Sequence, residues 1–473
     1  MLRIAAETFA ITPRAGCEGR TLTGEKAGLI FSPLKSTVYL VDDGRTRLCL
    51  LTSHFMTHYY RISNVLRHRL AEALGLDRDQ VFVFSSHNHC SVKLNRHQYS
   101  FGFEEEGRLI PESELTREGH ALVNGVVKAA RGLTRKLTPA SVWWGVGHER
   151  RITHNRKGRR ADGSTYLMRE EDRLLLGRDF NGDIDDDAPV VGFRNARGRW
   201  VAFLAQFTGH PVSAYHCEHP VVFGEYPQIA CDDLSEAFGG VPAGFLQGCA
   251  GDINSKGLLS PRPVEQNVAD ATRYGHYLGK TYARTARRLQ PSAQDDLGYA
   301  WEWVSIPYQG VPPRRELTRQ IAEMDDFLAR CARNDENTRT CNGLNFPLTM
   351  TPRYRAALIQ PLQRWAEWAL AFHKEGRLDQ APTERRFRMA VIRIGDVGIV
   401  GLPCEPFSGI GRQIKAHSPL PLAIPCGYMN DTSPAYVPDA ANNGDREYMS
   451  AFYRYTTTML PYKQPAGDLL ARL

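Results

Sequence analysis

Hydrophobic and polar positions along the chain follow two periods, and the boundaries between them fall at turn-forming residues. The run STVYLVDDGRTRLCLLTS (36–53) sets apolar β-formers on either side of Asp43-Gly44 and predicts a hairpin. Residues 57–75 carry apolar groups at helical spacing and stop near Gly75, ahead of the strand-like Val81-Phe82-Val83-Phe84. SVWWGVGHER (141–150) predicts another strand, and PVVGFRNARGRWVAFLAQF (189–207) a second hairpin turning on glycine. AGFLQGCAGDIN (243–254) reads as an apolar strand breaking into a Gly-Asp turn. Helical periods run over 263–289, with Pro263 at its start, and over 314–336 and 353–375. RMAVIRIGDVGIVGLP (388–403) returns as a strand pair that ends at Cys404-Glu405. No internal repeat or low-complexity linker interrupts the chain, and strands and helices mix without the regular alternation of a doubly wound sheet. The expectation is an α/β fold in a single large domain, 1–473, with mixed β-sheets flanked by helices.

Composition changes this picture little. Of 473 residues, 42% are hydrophobic and 23% charged, the balance of a soluble globular chain with a large core. The formal charge of +7 is spread among acidic residues, and no run of five or more basic residues occurs. The densest basic stretch, Arg156 to Arg160, reads as a solvated loop, so no nucleic-acid partner is expected. The ten cysteines are spread singly without a C-x-x-C, and most are expected to be reduced thiols. No apolar window of 18 residues exists and the N-terminus lacks an apolar signal segment, which predicts no membrane insertion and a cytoplasmic location.

Candidate chemistry gathers at strand ends. His87 and His89 follow the Val81–Phe84 run and, two apart in an extended chain, would point the same way. His210 follows VAFLAQFTG, and Glu405 follows GIVGLP. Imidazole and carboxylate suit zinc, whose catalytic sites take about three protein ligands plus water. The same histidines also read as hydrogen-bonded strand ends, and the helix signature HExxH is absent.

Taken in order, SSHNHCS (85–91), Asn155-Arg156, FTGHPVS (207–213), QGCAGDINS (247–255), GLPCEPF (401–407) and GYMNDTSPAYVPD (427–439) resemble the catalytic domain of the neutral/alkaline non-lysosomal ceramidase family. ITPRAG near the start is similar to that family's opening, and the resemblance runs over roughly residues 4–460. It implies a ceramidase-like fold and one Zn2+ per chain, held by His87, His210, Glu405 and Tyr436. It also implies catalytic or substrate contacts from His89, Arg156 and Tyr448, with Asp252 and Asn254 beside the substrate or behind the ligands. The family's G-D-V-S-P-N reads GDINSK here, so Asn254 takes the serine position and no nucleophile is carried over to Ser255. Cys404 stands where the family has glycine, and Cys90-Ser91-Val92 where it has Ser-Gly-Pro.

Three functions follow from this reading. The first is zinc-dependent hydrolysis of an amide (N-acyl) bond in a small polar or anionic molecule. The second keeps the metal but acts on a carbohydrate or uronic-acid-type substrate by hydrolysis or elimination. The third is a non-catalytic binding protein. The chain stops without the family's C-terminal immunoglobulin-like domain, which favours a substrate smaller than ceramide. His216, Cys217, Glu218 and His219 are expected at the pocket entrance, Asp183–Asp187 in a solvated turn, and Trp301, Trp303, Trp365 and Trp368 in the core.

Overall fold

Val38 and Leu40 pack into one hydrophobic core, while Tyr39 and Val41 pack into another, so the strand that carries them is covered on both faces. That double burial is why its sequence is an almost unbroken apolar run. The computed structural model describes residues 2–19, 24–57, 62–96, 110–260, 262–430 and 436–472.

Two mixed sheets stack face to face. The larger contains β1 (Arg3–Ile11), β2 (Leu34–Asp42), β3 (Arg47–Ser53), β4 (Val81–Ser85), β5 (Thr138–His148), β6 (Asp187–Asn195), β7 (Trp200–Phe207) and β8 (Ala243–Gln247). Their order is β8-β7-β6-β5-β1-β2-β3-β4, with Gln290-Pro291 added beside β5. The smaller sheet runs β9 (Leu297–Pro307), β10 (Glu384–Ile394), β11 (Val397–Gly401), β12 (Leu422–Cys426). Phe82, Phe84 and Leu246 of the first meet Ile392, Ile399 and Ile424 of the second in a shared core. Helices cover the outer faces. They are α1 (Ile62–Leu74) and α2 (Arg117–Arg131) at one end of the large sheet, and α3 (Glu225–Ala237) and α4 (Val264–Ala286) at the other. α5 (Arg314–Ala332), α6 (Pro352–Lys374) and α7 (Ser408–His417) pack on the small sheet. The result is four layers, helix–sheet–sheet–helix.

The hairpin expected over 36–53 forms, with Asp42 opposite Arg47. The second hairpin also forms, with a bulge at Phe193/Arg194. The helix expected over 57–75 occupies Ile62–Leu74; positions 58–61 lie outside the described residues. It ends where Gly75 takes φ +65°, and the Leu76 amide reaches back to the Ala71 carbonyl.

Three expectations need correction. Asp183–Asp187 is not a solvated turn throughout. Asp185 is buried, and Lys415 Nζ grips both its oxygens at 2.7 and 2.8 Å. In the basic stretch, Arg156 and Lys157 are turned inward; only Arg159 and Arg160 are exposed. The tryptophans do not share one core. Trp365, on α6, is fully buried, Trp301 stacks on Phe82 at 5.3 Å in the inter-sheet core, and Trp303 is half exposed.

What matters for chemistry is that three strand–helix–strand units, β3–α1–β4, β7–α3–β8 and β11–α7–β12, each end in a parallel pair. His87, His210, Asp252, Glu405 and Tyr428 all follow the carboxyl ends of those strands. In open α/β sheets, that is where ligands bind.

Candidate active site

Each loop is fixed by backbone before any side chain acts. After β4 the chain turns at His87, which takes φ 61° while its amide donates to Ser85 Oγ at 3.1 Å. After β7, His210 pairs with the short strand Ile253–Ser255, donating to the Ile253 carbonyl and accepting from the Ser255 amide, both at 2.9 Å. After β11, Glu405 and Tyr436 lie directly opposite each other in a two-residue parallel pair. Opposed residues on paired strands project to one side, so two groups 31 positions apart arrive together. A Cβ on Gly251 would sit 2.7 Å from the Glu405 carbonyl oxygen, so that glycine is required by the close approach of the two loops.

The polar atoms converge. Glu405 Oε2 is 3.0 Å from His210 Nε2 and 3.4 Å from His87 Nε2. Tyr436 Oη is 3.4 Å from His210 Nε2, and Tyr428 Oη is 3.5 Å from the same nitrogen. His89 Nε2 lies 3.1 Å from His87 Nε2, and one nitrogen each of His87, His89 and His210 falls within a 4.8 Å group. His87, His210, Glu405 and Tyr436 are all buried. The ring of His210 has a defined tautomer. Its Nδ1 faces the carbonyls of Ala250 (2.7 Å) and Ile253 (3.1 Å), which only accept, so Nδ1 carries the proton and Nε2 turns toward Glu405.

Arg156 reaches this cluster from the strand Thr153–Asn155. Its Nη2 donates to the Gly251 carbonyl at 2.6 Å and to Tyr436 Oη at 3.0 Å. Burial pushes the Tyr436 hydroxyl well up, and the guanidinium beside it pulls in the opposite direction. Asp252 stands behind the cluster. Oδ1 accepts from the Ser408 amide at 2.7 Å, Oδ2 from Ser408 Oγ at 2.9 Å and Asn155 Nδ2 at 3.0 Å. It therefore caps α7 from outside and ties the Glu405 loop to the Arg156 strand. Burial raises its carboxyl, while the Ser408 donors work against that.

Asn254 sits between His210 and His154 in a row across three strands. Both its amide atoms and both His154 nitrogens are buried without a hydrogen-bond partner among the described residues. Ser255 faces away, its Oγ taking the Val212 amide and the Ser213 hydroxyl.

The cluster opens on a cavity of about 160 Å³ whose wall includes His89, Arg156, Tyr436 and Tyr448. Tyr448 packs edge-on against Tyr436 at 5.7 Å and Phe452 at 5.3 Å. Most of the remaining wall is apolar, from Leu258, Phe346, Met350 and Tyr455 among others. Cys217 lines it as expected of the entrance stretch, while His216 and His219 stack on each other at 4.8 Å. A second group, His148 with Asp186 and Asp187, lies outside the fold's site, already ion-paired with Arg150 and Lys415. Cys249 and Cys404 are buried beside the motifs, with thiols pushed well up by burial. This is the reverse of what a nucleophilic cysteine needs.

Sequence reading missed four residues here. Tyr428 lies over the His87 ring at 4.3 Å with φ 60°. It falls inside the GYMN motif, but a strained backbone has no sequence mark. Tyr215 packs on His89 at 5.1 Å. Glu225, held by the Ala214 amide and facing Cys90 Sγ, is pushed up to about 7 by burial. Arg169 lines the cavity 13 positions after Arg156.

This fold is that of the neutral ceramidases. A neutral ceramidase from Pseudomonas aeruginosa superposes with a TM-score of 0.62 at 16% identity, over 99% of this chain and 72% of that one. A structure described as ceramidase complexed with C2 gives 0.64 at 17% identity, over 99% and 73%. No protein-family model and no curated protein matches the chain. It is a divergent sequence on a neutral-ceramidase-like fold.

Proposed function

We propose that the protein is a metal-dependent hydrolase of a small N-acyl amide, with one zinc ion held by His87, His210, Glu405 and Tyr436. The observation that carries this is the 3.0 Å approach of His210 Nε2 to Glu405 Oε2. With Nδ1 already protonated, two electron-rich atoms face each other in a buried site and need a cation between them. A proton would satisfy that one pair. A zinc ion serves four groups at once, and tetrahedral ligands at about 2.0–2.1 Å stand roughly 3.3 Å from one another. The separations of 3.0, 3.4 and 3.4 Å fit this.

When bound, zinc supplies a water acidified toward neutral pH and a positive charge near an acyl carbonyl. The chain's residues divide the rest of the work by position. His87, His210 and Glu405 lie behind the cavity and only hold the ion. Arg156, donating to Tyr436 Oη, favours the ionised phenol as a ligand. His89 and Tyr448 face the cavity, where they hydrogen-bond the carbonyl oxygen as negative charge develops on it. His89 would take up the proton that the attacking water gives off and pass it to the amine nitrogen as the C–N bond breaks. A cavity of this size resembles the roughly 150 Å³ that accepts benzene. The enclosed part of the substrate is then one ring or a short chain, not a long lipid tail.

The assay is a panel of short N-acyl and N-aroyl amides, followed by primary-amine release, beside a panel of acidic oligosaccharides monitored for ultraviolet-absorbing unsaturated ends. Amine release that stops with a chelator and returns with zinc is the expected result. Unsaturated product without amine release would replace the hydrolase with an eliminase.

A further inference from the structure

Resting on that reading of the site, we infer that the substrate carries an anionic group, a carboxylate or its equivalent, which Arg169 holds on the cavity wall away from the candidate metal ligands. Arg169 lines the cavity and is 5% exposed. Its Nη2 donates to the Asn345 carbonyl, and among the described residues no carboxylate lies within ion-pair distance of it. Asp172 takes the backbone amide of Arg169 at 3.0 Å instead of its guanidinium, and with Glu171 acts on that guanidinium only at longer range.

The surroundings add positive charge. Arg339 Nε donates to the Phe346 carbonyl at 3.1 Å, and Arg355 Nη2 to the Pro347 carbonyl at 3.2 Å. Three guanidiniums thus hold the carbonyls of three consecutive residues, 345 to 347, in the loop that forms this wall. Burial and the two neighbouring arginines pull Arg169 down to about 10. Leaving a cation in a largely apolar wall with one carbonyl partner is costly, and an incoming anion removes that cost. A guanidinium with free donors also matches a carboxylate in geometry as well as charge. Arg156, the cavity's other arginine, is engaged by Gly251 and Tyr436 and is committed to the ligand side. A single-ring molecule therefore spans the cavity with its amide at His89 and its anionic group at Arg169.

The test uses the full chain as purified and reads binding, not turnover, so it stands whether or not the hydrolase reading does. The probes are 3-phenylpropionate and its neutral, non-hydrolysable isostere 4-phenylbutan-2-one, titrated by calorimetry. Wild type is expected to bind the carboxylate at least about tenfold tighter than the ketone. Arg169→Met should abolish that preference and leave ketone binding unchanged, and Arg169→Lys should keep part of it with the fold checked by thermal melting. Equal binding of both probes to wild type overturns the inference. So does a preference that survives in Arg169→Met, or one lost from Arg156→Met alone, because the carboxylate would then sit at the ligand end. Amide hydrolysis without any carboxylate preference would refute this assignment and leave the proposed reaction standing.

Discussion

At the scale of single residues, position in the cavity wall divides the proposed site. His87, His210 and Glu405 have no cavity surface, the proposed ligand Tyr436 reaches the wall, and His89, Arg156 and Tyr448 line it beside Tyr436. Tyr448→Phe keeps the ring packing against Tyr436 and Phe452 and removes only a donor. It should lower turnover about a hundredfold, as loss of one oxyanion donor does, with metal content unchanged. Turnover equal to wild type would remove Tyr448 from the chemistry. His87, His89, His210 and Glu405 were legible as polar groups at strand ends, and Arg156, Tyr436 and Tyr448 only through the resemblance of their motifs to the ceramidase family. Tyr428, Tyr215 and Arg169 were not. Their parts depend on a left-handed backbone, on ring packing, and on a missing carboxylate, and none of these leaves a pattern in sequence.

Among elements, the three parallel pairs matter most, since each delivers a site residue from the carboxyl end of a strand. Both hairpins and the long helices could be read from period and turn chemistry. The stacking of two sheets was not legible, because an apolar run buried on both faces reads the same whatever covers it. Nor was the two-residue pairing of Glu405 with Tyr436, which is too short to have a period. Asp252 shows how elements are tied together. It closes the N-terminus of α7 three residues after Glu405 and holds Asn155 next to Arg156. Asp252→Ala should cost about 1–2 kcal/mol, as the loss of a helix cap does. It should also weaken metal affinity by roughly 10–100-fold through the loosened Glu405 loop. Calorimetric melting and a zinc titration read the two effects separately. A melting loss with unchanged affinity would make Asp252 a helix cap alone.

Viewed as a whole molecule, the fold buries titratable groups that set its response to acid. His54 and His154 are pulled down to about 3, chiefly by burial. Their unfolded values are near 6.5, so the unfolded chain binds more protons between about 3 and 6.5. Stability from these two groups is therefore full above about 6.5 and is lost as pH falls toward 3. Glu225, raised to about 7, acts in the opposite sense, adding stability that fades as pH rises from about 4.5 to 7. Replacing His154 with Gln isolates one contribution. The drop in melting temperature between pH 7 and pH 5 should be smaller in His154→Gln than in wild type; an identical drop would mean His154 is not held neutral. Among the described residues no helix is long and apolar enough to cross a membrane, and the ten cysteines stand apart as free thiols.

The central claim is that four buried groups from four loops hold one metal ion. It is tested most directly by elemental mass spectrometry on protein purified without an affinity-tag metal, beside His210→Ala and Glu405→Ala. One zinc per chain in wild type, and little in either variant while both remain folded, is the predicted result. Wild type that takes up no metal even from added zinc, or variants that retain it in full, would contradict the account.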